Sequence, residues 1–177
     1  MTNNQTATSL DPLNLEPLPP ENRQRLLRFP LGIEESALLP LEEIAEILRV
    51  NTAEILPVPE MPSCVLGICN WRGKMLWLVD LNHLIGGKPL LLPETVVASA
   101  VAMVVQVHEK FLGLVVQQVN DIELHELQRL QPAVPGLFPS RLLPFVLGAL
   151  PGGNGMVLDV KAITQCPLWH IHGGGKY

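Results

Sequence analysis

The sequence predicts a mainly β fold made of two small, similar lobes packed together with short helices. Three observations carry this. Val, Leu and Ile supply most of the apolar residues, while aromatics are only 5%. Short apolar runs are separated by Gly, Pro and Asn, the punctuation of strands and tight turns. The two halves also echo each other: "LEEIAEI" (Leu41–Ile47) shares its apolar spacing with "VQQVNDI" (Val116–Ile122), and "GKMLWLVDLNHLI" returns as "NGMVLDVKAI". Units this small rarely hold a core alone, so paired barrel-like lobes are the economical arrangement.

Along the chain, residues 1–22 are polar and then Pro-rich ("LDPLNLEPLPPEN") and are expected to form a flexible arm. The domain is expected over residues 23–166. It opens with the apolar run "RQRLLRFPL" and a turn at "GIEES". In "ALLPLEEIAEILRV" a strand through Leu41 is expected to pass into a helical turn carrying Ile44, Ile47 and Leu48 at i, i+3, i+4. "PVPEMP" is extended Pro punctuation that no helix crosses. "SCVLGICNW" and "KMLWLVDL" read as strands joined by a turn at Arg72-Gly73, and "NHLIGG" as a helical turn stopped by Gly. "TVVASAVAMVVQV" and "FLGLVVQ" form a hairpin about residues 108–110. After "QVNDIELHELQRL" and a Pro-broken segment, "FVLGALPGGNGMVLDVKAI" supplies strand, Gly-rich turn, strand and helical turn. The tail "TQCPLWHIHGGGKY", above all residues 167–177, is expected to fray.

Composition excludes several classes. Hydrophobic residues make up 47% and net charge is −5, with mean hydropathy +0.28 and pI near 5.5. That is ample for a packed core and wrong for a protein that neutralises phosphates, so no nucleic-acid partner is expected. No apolar run reaches the ~20 residues of a spanning helix, and direct membrane insertion is not expected. The first residues lack the basic and apolar blocks of a signal peptide, which points to the cytoplasm. Three irregularly spaced Cys make no disulfide framework.

Candidate chemistry is thin. Cys69 with His83 or His108 could pair as nucleophile and base, but neither Cys64 nor Cys69 adjoins a cationic cluster that would lower its pKa. Cys166, His170 and His172 lack the second ligand pair of a structural zinc site, and "HGGGK" lacks the context of a phosphate loop. No catalytic residue, metal or cofactor is expected. Glu42, Glu43 and Glu46 read first as a solvated face. Arg72, set in an apolar hairpin, calls for a carboxylate partner, and Glu46 is the candidate; the bland alternative is an exposed ion pair contributing about 0–1 kcal/mol. Asp80 and Asp159 occupy the same place in the two halves and read as helix N-caps. Trp71 and Trp77 either fill the core or form binding anchors on one side.

The stretch "ILPVPEMPSCVLGICNWRGKMLWLVDLNHLIG" resembles the CheW family of bacterial chemotaxis adaptors. The resemblance rests on Val65, Gly67, Ile68, Asn70, Trp71, Arg72 and Gly73, then Val79, Asp80 and Leu81. "KFLGLVVQQVNDI" and "FVLGALPGGNGMVLDVKAI" fit the family's second lobe, and the likeness spans about Arg25 to Thr164. It implies two five-stranded β-barrels and no catalysis. It also implies two partners, the regulatory domain of a CheA-type histidine kinase and the cytoplasmic tip of methyl-accepting receptors, with recruitment to membrane receptor arrays. An apolar receptor groove would be lined by Ile44, Val119 and Ile122, the last two sharing a face if that segment is helical. A signalling turn would comprise Asn70, Trp71, Arg72 and Gly73, with Glu46 pairing Arg72. Trp71 stands where the family usually has Leu, and Trp77 where it has Pro. "PEMPSCVLGICNWRG" looks most like adaptors of cyanobacterial pilus-driven phototaxis. Two alternatives stay open: a module of the same fold that contacts motility machinery or a response regulator, and a small thiol- or metal-dependent enzyme.

Overall fold

A computed structural model describes residues 21–32, 34–90, 100–107 and 109–166. The N-terminal arm through residue 20 and the tail beyond Cys166 lie outside the described residues. So do His108, His170 and His172.

The strands run β1 (Gln24–Leu31), β2 (Glu35–Pro40), β3 (Ile44–Val50), β4 (Val65–Trp71) and β5 (Lys74–Asp80), followed by helix α1 (Leu81–Leu84). Next come β6 (Ala100–Val107), β7 (Lys110–Val116), β8 (Ile122–His125), β9 (Gln131–Pro132), β10 (Val146–Ala149), β11 (Met156–Leu158) and helix α2 (Val160–Thr164). They form two sheets, one ordered β8-β1-β2-β11-β10-β9 and the other β3-β6-β7-β5-β4. The fold is mainly β, as the sequence predicts. One sheet has six strands rather than five, because the two-residue β9 pairs with β10, and neither sheet closes into a full barrel.

The echo between the halves is structural. In each sheet a hairpin (β1-β2 or β6-β7) lies parallel to the last strand of a second hairpin (β11 or β5), and a short helix follows that strand. Asp80 and Asp159 cap those helices, accepting from the N–H of His83 (3.1 Å) and Ala162 (3.2 Å). The edge strands are exchanged. The chain leaves β2 in the first sheet to make β3 in the second, and leaves β7 in the second to make β8 in the first. The lobes are therefore interleaved.

Strand alternation divides the interior into three apolar clusters. Leu27, Phe29, Leu31, Ala37 and Leu39 from one sheet meet Val79, Met103, Val105, Leu114 and Val116 from the other in a large shared core. The opposite faces carry smaller cores of their own. One holds Trp71, Leu76, Leu78, Ala102 and Val104, and the other Leu26, Leu38, Leu150 and Val157. β6 is buried on both faces through Val105, which explains its apolar run from Ala100 to Val105.

Three expectations need correction. Leu41–Glu43 form a 3-10 turn, but Ile44, Ile47 and Leu48 lie on an extended strand. Val119 lies in an irregular crossover and Ile122 begins a strand, so no helix aligns them. The apolar spacing imitates a helix because a bulge between Ile44 and Glu46 shifts the strand's alternation. The chain is also ordered past Thr164: Cys166 is buried in the shared core.

Candidate functional site

Two predicted groups of residues meet on β3. The first is the β4–β5 hairpin turn. Register places Trp71 opposite Lys74, leaving Arg72 and Gly73 as a two-residue loop with φ of 52° and 75°. This is the I′-type geometry whose twist suits adjacent strands. Gly tolerates it, while a left-handed Arg costs roughly 1–2 kcal/mol. Strain retained at an exposed side chain points to a use for that side chain. Asn70 stabilises the loop by accepting the Gly73 N–H through Oδ1 at 3.0 Å.

Glu46 is the hub beneath the turn. Its Oε2 accepts from Trp71 Nε1 at 2.7 Å and pairs with Arg72 Nη2 at 2.9 Å. The Arg72 guanidinium lies 4.9 Å from the centroid of the Trp71 ring, and that ring tilts against Phe111 at 4.8 Å. The expected Glu46–Arg72 pair is thus present, supplied by a strand rather than a helical turn. The indole bond was not read from the sequence, although a Trp beside a half-covered Arg is a signal for a shared acceptor. Trp71 is 6% exposed and forms the floor of the turn, while the Arg72 side chain stands 65% exposed. The two tryptophans do not share a side. Trp77 alternates with Leu76 and Leu78, which face the core that contains Trp71. A cleft of about 350 Å³ opens beside the turn between β3 and β4, floored by Leu48, Val50 and Leu78.

The second group is apolar and lies on the other face. Ile44 and Val119 both pack at the margin of the shared core. Ile122 pairs with the buried Leu27, and Ile47 with the buried Met103. Both partners belong to the shared core, yet Ile122 is 56% and Ile47 39% exposed because β8 and β3 are edge strands. Ile44, Ile47, Val119 and Ile122 therefore fringe one core from both lobes, on the face opposite Glu46. Adjacent positions of β3 point to both groups. Ile47 lies outside the site the sequence predicts, though its place in the repeat, matched to Ile122, marks it.

Among the described residues the titratable groups carry no catalytic pattern. Burial raises the Cys64 thiol to about 11 and moves Cys69 upward as well, the reverse of an activated nucleophile. His83 does bond Ser63 Oγ through Nε2 at 2.8 Å. Its Nδ1 is buried without a partner. The nearby Asp80 carboxylate is occupied by the His83 and Leu90 N–H groups, so among the described residues it does not serve as the third group that orients the ring. Among the described residues no set of three or more His, Cys, Asp or Glu could hold a metal. None of the described helices is long and apolar enough to cross a membrane.

Two interleaved β lobes, an exposed hairpin turn and an apolar fringe define the site by its geometry. The CheW-like domain family matches residues 25–166, and the chain belongs to that family. It is 32% identical over 99 residues to the probable chemotaxis protein CheW of Rhizobium etli, covering 56% of this chain and 59% of that one. It is 36% identical over 76 residues to the chemotaxis protein CheW of Rhizobium meliloti, covering 43% and 46%. The match thus spans about half the length of these relatives. The scaffolding protein TtCheW of Thermoanaerobacter tengcongensis shares the fold, with TM-score 0.61, 23% identity and coverage of 77% of this chain and 87% of that one.

Proposed function

We propose that the chain is a non-enzymatic adaptor. In this reading it couples a methyl-accepting receptor to a CheA-type histidine kinase in chemotactic or phototactic signalling. The observation that carries the reading is the placement of Ile44, Ile47, Val119 and Ile122. They occupy matched positions of the internal repeat beside one apolar core, Ile44, Ile47 and Ile122 on exchanged edge strands and Val119 in the crossover that leads into β8. A helical hairpin of the receptor tip would rest its apolar stripe there, a contact made through area rather than charge. The low charge content of the chain suits such a contact.

An adaptor needs a second surface. Leu56, Ile68 and Trp77 lie side by side across the β4–β5 hairpin, and Leu56 and Met75 are well exposed. This strip, with the Arg72 turn at its end, is the proposed contact for the kinase regulatory domain. β3 links the two surfaces, because Ile47 faces the receptor side while Glu46 holds Trp71 and Arg72. A displacement of β3 on receptor binding would reach the turn within one residue. Association with membrane arrays would follow from receptor binding alone.

The test is binding of a purified receptor-tip hairpin to the wild-type chain and to Ile44→Asp and Ile122→Asp. Each substitution sets a charge in the apolar contact and is expected to weaken binding at least tenfold, in line with the ~2 kcal/mol or more carried by a central contact. Undiminished binding in both variants would refute the receptor surface. Binding of a response regulator in place of the hairpin would favour the non-bridging alternative.

A further inference from the structure

We infer that Arg28 is a positioning residue that presets Ile122 for its partner, an inference that rests on the docking reading above. Arg28 lies in the middle of β1. Its N–H donates to the Asp121 carbonyl at 2.8 Å, and its carbonyl accepts from the Asn120 N–H at 2.7 Å. The guanidinium grips both carboxylate oxygens of Glu123, through Nε to Oε2 and through Nη2 to Oε1 at 3.0 Å. One residue therefore fixes the chain immediately before and immediately after Ile122, across 95 positions of sequence. Nη1 reaches further, donating to Ser36 Oγ at 2.7 Å and to the Asn154 carbonyl at 2.6 Å. This anchors β8 to β2 and to the Gly-rich turn before β11. His125 Nε2 lies 2.8 Å from Glu123 Oε1 and steadies the acceptor.

The arrangement is more than a surface ion pair. The Arg28 and Glu123 side chains are 18% and 29% exposed, and a bidentate guanidinium–carboxylate fixes direction as well as distance. A Cβ at residue 155 would stand 2.9 Å from Arg28 Nη1, so Gly155 leaves the space the guanidinium needs. Ile122, held on both sides, still has its side chain in solvent. A short edge strand does not require so many bonds to bury a residue that stays exposed. Rigid presentation lowers the ordering cost that an apolar contact must overcome on binding. The other lobe has a parallel device: Glu46, next to Ile47, is held by Trp71 and Arg72. In both edge strands a carboxylate on one face is tied while its neighbour presents an apolar side chain on the other.

The experiment uses the full chain as wild type, Arg28→Gln, Ile122→Ser and the double variant. Calorimetry measures affinity for a purified hairpin fragment of a methyl-accepting receptor tip, and amide exchange follows residues 120–123 against β6 and β7. Arg28→Gln is expected to weaken binding roughly tenfold, the scale of lost preorganisation, and to speed exchange selectively at 120–123. In the Ile122→Ser background it should cause no further loss, because it acts through Ile122. Wild-type affinity in Arg28→Gln while Ile122→Ser is weakened overturns this inference alone, and so do losses that multiply in the double variant. Wild-type affinity in Ile122→Ser overturns the docking reading beneath it. If Arg28→Gln does not fold, Glu123→Gln serves in its place with the same expectations.

Discussion

Glu46→Ala should destabilise the protein far more than Arg72→Ala, although the two residues form one ion pair. Removing the carboxylate strands the Trp71 indole N–H, which is buried with its ring. An unsatisfied buried donor costs about 1–3 kcal/mol. The lost pair with Arg72 adds at most ~1 kcal/mol, because the guanidinium is 65% exposed. The sum is about 2 kcal/mol, with 1–4 as the outer range. Arg72→Ala loses only the exposed pair and the cation–π contact, together about 1 kcal/mol or less, and leaves Glu46 bonded to Trp71. Urea titration followed by Trp fluorescence measures both, provided the denaturant slope is unchanged. The double variant should lose little more than Glu46→Ala alone. Equal losses in the single variants, or strictly additive ones, would refute the hub role of Glu46.

Further outcomes follow from backbone and charge. Gly67 has φ of 142°, and a Cβ there would lie 2.2 Å from the Leu56 carbonyl oxygen. Gly67→Ala should therefore cost about 3 kcal/mol or more in thermal or urea unfolding, while Gly73→Ala, with open space around it, should cost only the ~1–2 kcal/mol of its left-handed backbone. Glu123 falls from an ordinary value of 4.5 to about 2, chiefly through its hydrogen bonds from Arg28. A carboxylate with a depressed folded-state value stabilises the protein above its unfolded value and loses that contribution as pH falls through the folded one. Acid titration should show stability lost between about pH 4.5 and 2, and Glu123→Gln should flatten that limb. Asp80 has the opposite sign, since burial raises it. Its ionisation lowers stability as pH rises above 3.8, so Asp80→Asn should remove a falling limb rather than a rising one.

What the sequence made legible follows range of interaction. The β4–β5 and β10–β11 hairpins, the Arg72-Gly73 loop and the Asp80 and Asp159 caps depend on near neighbours, and all appear as expected. The Glu46–Arg72 pair was legible because an Arg in an apolar hairpin needs an acceptor. β3 was misread because a bulge at Ala45 converts the period of a strand into a spacing of three. A second repeat went unread: "VLG" occurs at Val65–Gly67 and at Val146–Gly148, and both copies carry a register shift. At each glycine a neighbouring carbonyl approaches too closely for a Cβ, from Leu56 or Gln131. The Arg28–Glu123 clasp could not be read at all, since only the strand exchange brings those residues together.

The most direct test of the adaptor reading is reconstitution of a methyl-accepting receptor with a CheA-type kinase, with and without this chain. The reading predicts that kinase autophosphorylation comes under receptor control only when the chain is added, and that folded Arg72→Ala fails to confer that control. Kinase output indifferent to the chain, or normal control by Arg72→Ala, would contradict it.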